Sequence, residues 1–162
     1  MILDDYNEFA DNVSVAAAAG TALIGDVIDL GTASPQRDVG NGEPIYLVVS
    51  IDTEVITAGA AGTIQFILAS DAQAAIATDG SATVHFASRA FVTGNAASND
   101  PDLNVGRFPV VVALPWEGRV YERYLGILAT IGTTAVSAGS ISAYLTHDPR
   151  GYKAYADRKS HV

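Results

Sequence analysis

The sequence predicts an all-β protein: an antiparallel β-sandwich, jelly-roll-like, of about eight strands, with an extended N-terminal arm and a C-terminal tail. Three observations predict it. The 49% hydrophobic content is drawn largely from Ala, Val and Ile beside many Thr and Gly, which suits strands and turns better than helices. Apolar and polar residues alternate over short runs, and within residues 1–21 large apolar residues at helical spacing are missing. Turn signals recur between those runs at short intervals.

In chain order, residues 1–21 read as the arm. Their Ala16-Ala17-Ala18-Ala19-Gly20 stretch is either extended chain joining a sheet edge or a short helix. Ala22 to Leu30 and Ile45 to Ile56 read as strands, separated by a Gly31 to Pro44 loop in which Ser34-Pro35 and Gly40-Asn41-Gly42 are turn signals. Thr57 to Gly62 then turns the chain into Thr63 to Ala69, predicting a hairpin. Ser70-x-x-Gln73 has capping-box spacing, which predicts one helical turn over 71–77 before Asp79-Gly80 reverses direction. In Ser81 to Ser88 the apolar Ala82, Val84 and Phe86 alternate with Thr83 and His85, placing His85 on the face opposite Phe86.

Phe91 to Val105 is rich in Gly, Asn, Asp and Ser and reads as a long functional or mobile loop. Gly106 to Ala129 reads as two long strands joined by a Pro115-Trp116-Glu117-Gly118 turn, without catalytic chemistry on either strand. Tyr124 to Thr146 has no charged residue, yet eight Thr, Gly and Ser residues between 130 and 142 interrupt it, so a hairpin explains it better than a membrane span. Pro149 cannot donate to a ladder and ends the last strand. The chain thus divides into an arm (1–21), a β domain (22–146) and a tail (147–162).

Charge and composition narrow the function. A net charge of −9 argues against direct nucleic-acid binding, since phosphate is held by clustered Lys and Arg. The charge is uneven: residues 1–106 carry 14 acidic and 2 basic side chains, and residues 107–162 carry 4 and 7. There is no cysteine, so no disulfide or thiolate metal site forms. Asp4, Asp5, Glu8 and Asp11 stand where a secretory signal needs positive charge.

Catalytic, metal and cofactor sites are not expected. Only His85, His147 and His161 offer imidazole bases, no Gly-x-Ser-x-Gly elbow exists, and His85 reads as a surface or partner-facing residue. Asp100, Asp102 and Asn104 alternate like calcium ligands, but Gly106 comes one place late and Val111 stands where the bidentate glutamate belongs. Glu54, Glu117 and Glu122 cannot be paired into a glycosidase dyad from sequence. The candidates for partner binding are Trp116, an anchor or a core-edge residue, and the basic, tyrosine-bearing tail: Arg150, Tyr152, Lys153, Tyr155, Arg158 and Lys159.

Several short motifs carry a resemblance by their order: Met1-Ile2-Leu3-Asp4, Phe9-Ala10-Asp11, Asp26 to Gly31, Gly42 to Ser50 and Glu122-Arg123-Tyr124-Leu125-Gly126. From Met1 to about Thr146 the chain resembles the capsid cement (decoration) proteins of tailed bacteriophages, in particular the Bordetella-phage type. The resemblance implies a jelly roll, a major capsid protein as partner, self-association with a dimer favoured, and a place on the virion exterior; the charge and the interrupted apolar run add the expectation of no direct nucleic-acid and no membrane contact. A carbohydrate-binding sandwich, with Trp116 and Tyr121 as a stacking platform in a phage adhesin, is the alternative.

Overall fold

The computed structural model describes residues 5–31, 42–59, 62–95, 97–115 and 117–149. Nine strands form two antiparallel sheets. The first sheet orders β1 (Glu8–Ser14), β9 (Ala138–Thr146), β3 (Tyr46–Ile56) and β7 (Val110–Ala113) as β1-β9-β3-β7. The second orders β2 (Gly20–Asp29), β8 (Tyr124–Gly132), β4 (Gly62–Asp71) and β5 (Thr83–Ala87) as β2-β8-β4-β5, and β6 (Phe91–Thr93) also pairs with β4.

β5 pairs with residues 67–70 of β4 and β6 with residues 62–64, so the two are one edge strand broken at Ser88. Ser88 stitches the break: its backbone N–H donates to the Phe66 carbonyl, its hydroxyl accepts from the Phe66 N–H, and its carbonyl accepts from Gln65 Nε2. Counted as one, β5 and β6 leave eight strands in the interleaved order of a jelly roll.

The alternation in each strand sends one face inward. Ile64, Phe66 and Leu68 of β4, Leu125 and Ile127 of β8, Leu47, Val49 and Ile51 of β3 and Ile141 of β9 are all at most 1% exposed. They form the shared core between the sheets. At roughly 2 kcal/mol per fully buried aliphatic side chain, this layer is the main stabilising term. The outer face of the second sheet carries a smaller apolar cluster, Ala69, Ile76, Ala82 and Leu128, where the link between β4 and β5 folds back as a strap. Gly126 makes room for it, since a Cβ there would lie 2.6 Å from Ile76 Cδ1 and 3.0 Å from Leu23 Cδ1.

Several expectations are corrected. The turns at 57–62, 115–118 and 133–137 do not close hairpins, because β3, β7 and β9 lie in the first sheet while β4 and β8 lie in the second. Each is an arch from one sheet to the other. Alternation looks the same in a hairpin and an arch; only the non-local partner distinguishes them. Residues 71–77 hold no helix. Ser70 ends fully buried within β4, and the Asp71 carboxylate accepts the Gln73 and Ala77 N–H groups, closing the turn in place of a capping box.

The expected alternation of β5 also fails. The register slips between Phe86 opposite Leu68 and Val84 opposite Ala69, leaving His85 as the bulged residue. Thr83 is therefore buried and Val84 is 50% exposed. Finally, 91–105 is no long loop, because it holds β6 and a 3-10 turn, Pro101–Leu103, that drives Leu103 into the core at 0% exposure. No helix among the described residues is long and apolar enough to cross a membrane.

Candidate functional site

Antiparallel pairing gathers the starts of β1, β3, β5 and β8 and the ends of β2, β4, β7 and β9 at one end of the sandwich. Both terminal segments, the link from β2 to β3 and the crossover 114–123 from β7 to β8 are all rooted there. Tyr6 and Val120, the most exposed large apolar side chains among the described residues at 79% and 84%, sit at this end. Half-buried Tyr46, Tyr121 and Tyr124 lie at it too. Such rings combine contact area with few rotatable bonds, the property that makes them anchors at interfaces.

Side chains from three segments brace the crossover. The Tyr121 hydroxyl donates to the Pro115 carbonyl at 2.8 Å, so the crossover closes on itself. Burial pushes the Tyr121 phenol up to about 12, which keeps it a neutral donor. The Tyr121 ring stacks on His85 with centroids 3.8 Å apart and planes 15° off parallel. His85 Nε2 lies 2.7 Å from Ser70 Oγ, and that oxygen accepts the Glu122 N–H at 3.0 Å. Thr83 Oγ1 donates to Glu122 Oε1 at 2.7 Å.

Desolvation holds His85 below the ordinary histidine range, while the Glu122 carboxylate acts in the opposite sense. A hydroxyl beside an imidazole is the pairing of a nucleophile with a base, but Ser70 is 0% exposed and its oxygen already serves two partners. What the arrangement does here is tie a crossover to a sheet edge.

Next to it, Arg123 Nε and Nη2 fork onto Asp29 at 3.0 and 2.8 Å, prolonging the β2–β8 ladder through the Leu30 N–H to Arg123 carbonyl bond. The Arg123 guanidinium holds the Asp29 carboxyl down at about 2. At the lateral edge Arg89 forks onto Asp100, also reaches Asp102, and lies 4.1 Å from the Phe91 ring centroid. The two carboxylates read from sequence as the best calcium candidate therefore hold an arginine. Among the described residues no group of three or more His, Asp or Glu is placed to hold a metal ion. A cleft of about 250 Å³ beside β1 is lined by Glu8, Asp11 and Asp26 with Phe9, Ala10 and Val13.

All the residues expected to bind a partner, Trp116, Arg150, Tyr152, Lys153, Tyr155, Arg158 and Lys159, lie outside the described residues. Their neighbours do not: Pro115 and Glu117 flank Trp116, and Pro149 precedes Arg150, all at the end just described. His85, expected on the surface, is instead half-buried against Tyr121 and Ser70. Sequence reasoning missed Ser70, Tyr121 and Glu122 as its partners. Ser70 stands 15 positions from His85 and 52 from Glu122, and nothing local marks pairs so far apart.

Comparison with known proteins adds one match. A family model described as Bbp16, a name that points to a Bordetella phage protein, matches residues 9–145, from within β1 to within β9. No curated protein matches the chain.

Proposed function

This chain belongs to the Bbp16 family, and on that premise we propose that it is a capsid cement protein. It binds the outside of a phage head and bridges neighbouring major capsid protein subunits, so that the shell resists the pressure of packaged DNA. The observation that carries the reading is that the start of β1, the end of β9 and the ends of the crossover from β7 to β8 all lie at one end of the sandwich, beside exposed Tyr6 and Val120. A rigid body whose terminal segments and crossover are rooted at one end can reach several subunits at once. Effective concentration then makes modest contacts strong together, because the shell opens only when several break. The acidic body suits an exterior position, away from nucleic acid. A homodimer doubles the number of contacts and fits an icosahedral two-fold axis.

The carbohydrate-binding alternative draws less from the geometry, since Tyr121 presents one ring face to His85 and binds Pro115 with its hydroxyl. Particles lacking the protein test both readings. Adding it back should raise their resistance to heat, with saturation at a fixed ratio to the major capsid protein. Strong glycan-array binding abolished by Trp116→Ala, with no association with particles, overturns the cement reading in favour of the other.

A further inference from the structure

The contact between Ser70 and His85 has a direction. Glu122 N–H can only donate, so it occupies one lone pair of Ser70 Oγ. In the tautomer that carries its proton on Nδ1, the neutral ring accepts the Ser70 hydroxyl proton at Nε2 and leaves no proton of Ser70 without a partner. Protonation of the ring turns Nε2 into a donor. Ser70 Oγ would then accept twice and its own proton would have to turn away, at a position with 0% exposure.

The surroundings decide the sign. From the crossover, the Glu122 carboxylate and the face of the neutral Tyr121 ring favour the charged imidazole, with Arg119 and Glu117 exposed further along. From β4, Asp71 is turned to the Gln73 and Ala77 amides. Arg123, at the foot of β8, is forked onto Asp29. β5 itself contributes no charged residue. Burial of the ring outweighs the Glu122 attraction, so the folded protein binds this proton less readily than the unfolded chain.

We propose that Ser70, His85 and Tyr121 form an acid-released latch: protonation of His85 reverses its bond to Ser70 and frees residues 117–122 from the sheet end while both sheets stay folded. The segment released carries Val120, Arg119 and Glu117, so acid changes the surface presented at the end where β1 begins and β9 leaves the sheet. The sign follows from linkage. A histidine whose affinity for protons is lowered by folding contributes fully above the unfolded value of about 6.5 and loses that contribution as pH falls below it. The Asp29 and Asp100 carboxylates, held low by Arg123 and Arg89, lose theirs only at more acid pH. The latch therefore opens before the acid limb of global unfolding.

The test uses the full-length protein alone and so does not depend on the cement reading. Hydrogen exchange, corrected for intrinsic rates, is followed in residues 117–123 and in β8 between pH 7.5 and pH 5, and the His85 ring is titrated by NMR. Protection of 117–123 should be lost in a single step, with β8 unchanged and the step coincident with the ring titration. His85→Gln, which can still bond Ser70 but does not titrate, should abolish the step. No step in the wild type, a step that survives in His85→Gln, or simultaneous loss of β8 protection overturns the proposal. If the Gln variant is unprotected at every pH, the wild-type data decide: coincidence of ring titration and exchange supports the latch, and separation overturns it.

Discussion

At Gly25 a single missing methyl lets β1 and β2 approach closely. β1 and β2 belong to different sheets and meet along one side of the sandwich, where the β2 register slips between Ile24 and Ile28. Gly25 occupies that bulge at φ +66°, and a Cβ there would collide with the Phe9 carbonyl oxygen and stand 3.1 Å from Ala10 Cβ. Gly25→Ala should therefore incur both left-handed backbone strain and overpacking, about 2–4 kcal/mol together. Gly106 is the control, since φ is +76° there but no described atom lies within 4 Å of the added carbon. Thermal melts should show Gly25→Ala falling by roughly 5–15 °C, well beyond Gly106→Ala. Equal shifts would mean that the contact with Phe9 contributes nothing. No sequence signal marks Gly25, whereas Asp79-Gly80 was legible as a turn and is one: Gly80 has φ +93° and Asp79 Oδ1 accepts the Ser81 N–H. Turn chemistry is local; close approach between strands distant in sequence is not.

The strands divide along the same line. β2, β3 and β4 were legible to within about two residues at each end, because runs of strand-forming residues there are bounded by turn signals. The partner of each strand was not, and three expected hairpins turned out to be arches. The crossover shows the reason: β7 has only four residues, its sequel Leu114 donates to Ile45 of the first sheet, and the chain must then reach Tyr124 in the second. The strap from Ala72 to Ala82 was invisible as a packing element because one isoleucine, Ile76, anchors it over Gly126. Ile76→Ala should cost about 2 kcal/mol, at the low end for a buried aliphatic truncation, because a surface strap can settle onto the space left. Ile127→Ala, in the shared core at 0% exposure, should cost clearly more. Chemical denaturation of both variants checks the order, and a larger loss for Ile76→Ala would make the strap, rather than the inter-sheet layer, the critical element.

On the scale of the whole molecule, the uneven charge and the topology meet. The sandwich order follows from strand number and patterning, which is why the architecture was legible when individual pairings were not. The site was less legible because its parts come together only at the end where β9 leaves the sheet. From that end the chain continues with Arg150, Lys153, Arg158 and Lys159 against a single acid, Asp157, while the rest of the protein is strongly acidic. Burial between the sheets is nearly independent of salt, whereas charge-assisted contacts made by such a tail are screened. Deleting residues 150–162 should therefore leave the melting of the isolated protein nearly unchanged, since the core cluster among the described residues lies between Phe9 and Leu145. The same deletion should weaken binding to phage particles and flatten its dependence on salt, because fewer screened contacts remain to be lost as ionic strength rises. Occupancy measured on particles at low and physiological salt decides it. Equal occupancy and equal salt slope for the truncated and full-length proteins would remove the tail from the interface and leave the exposed apolar residues of the sandwich end, Tyr6 and Val120, as the contacts to mutate next.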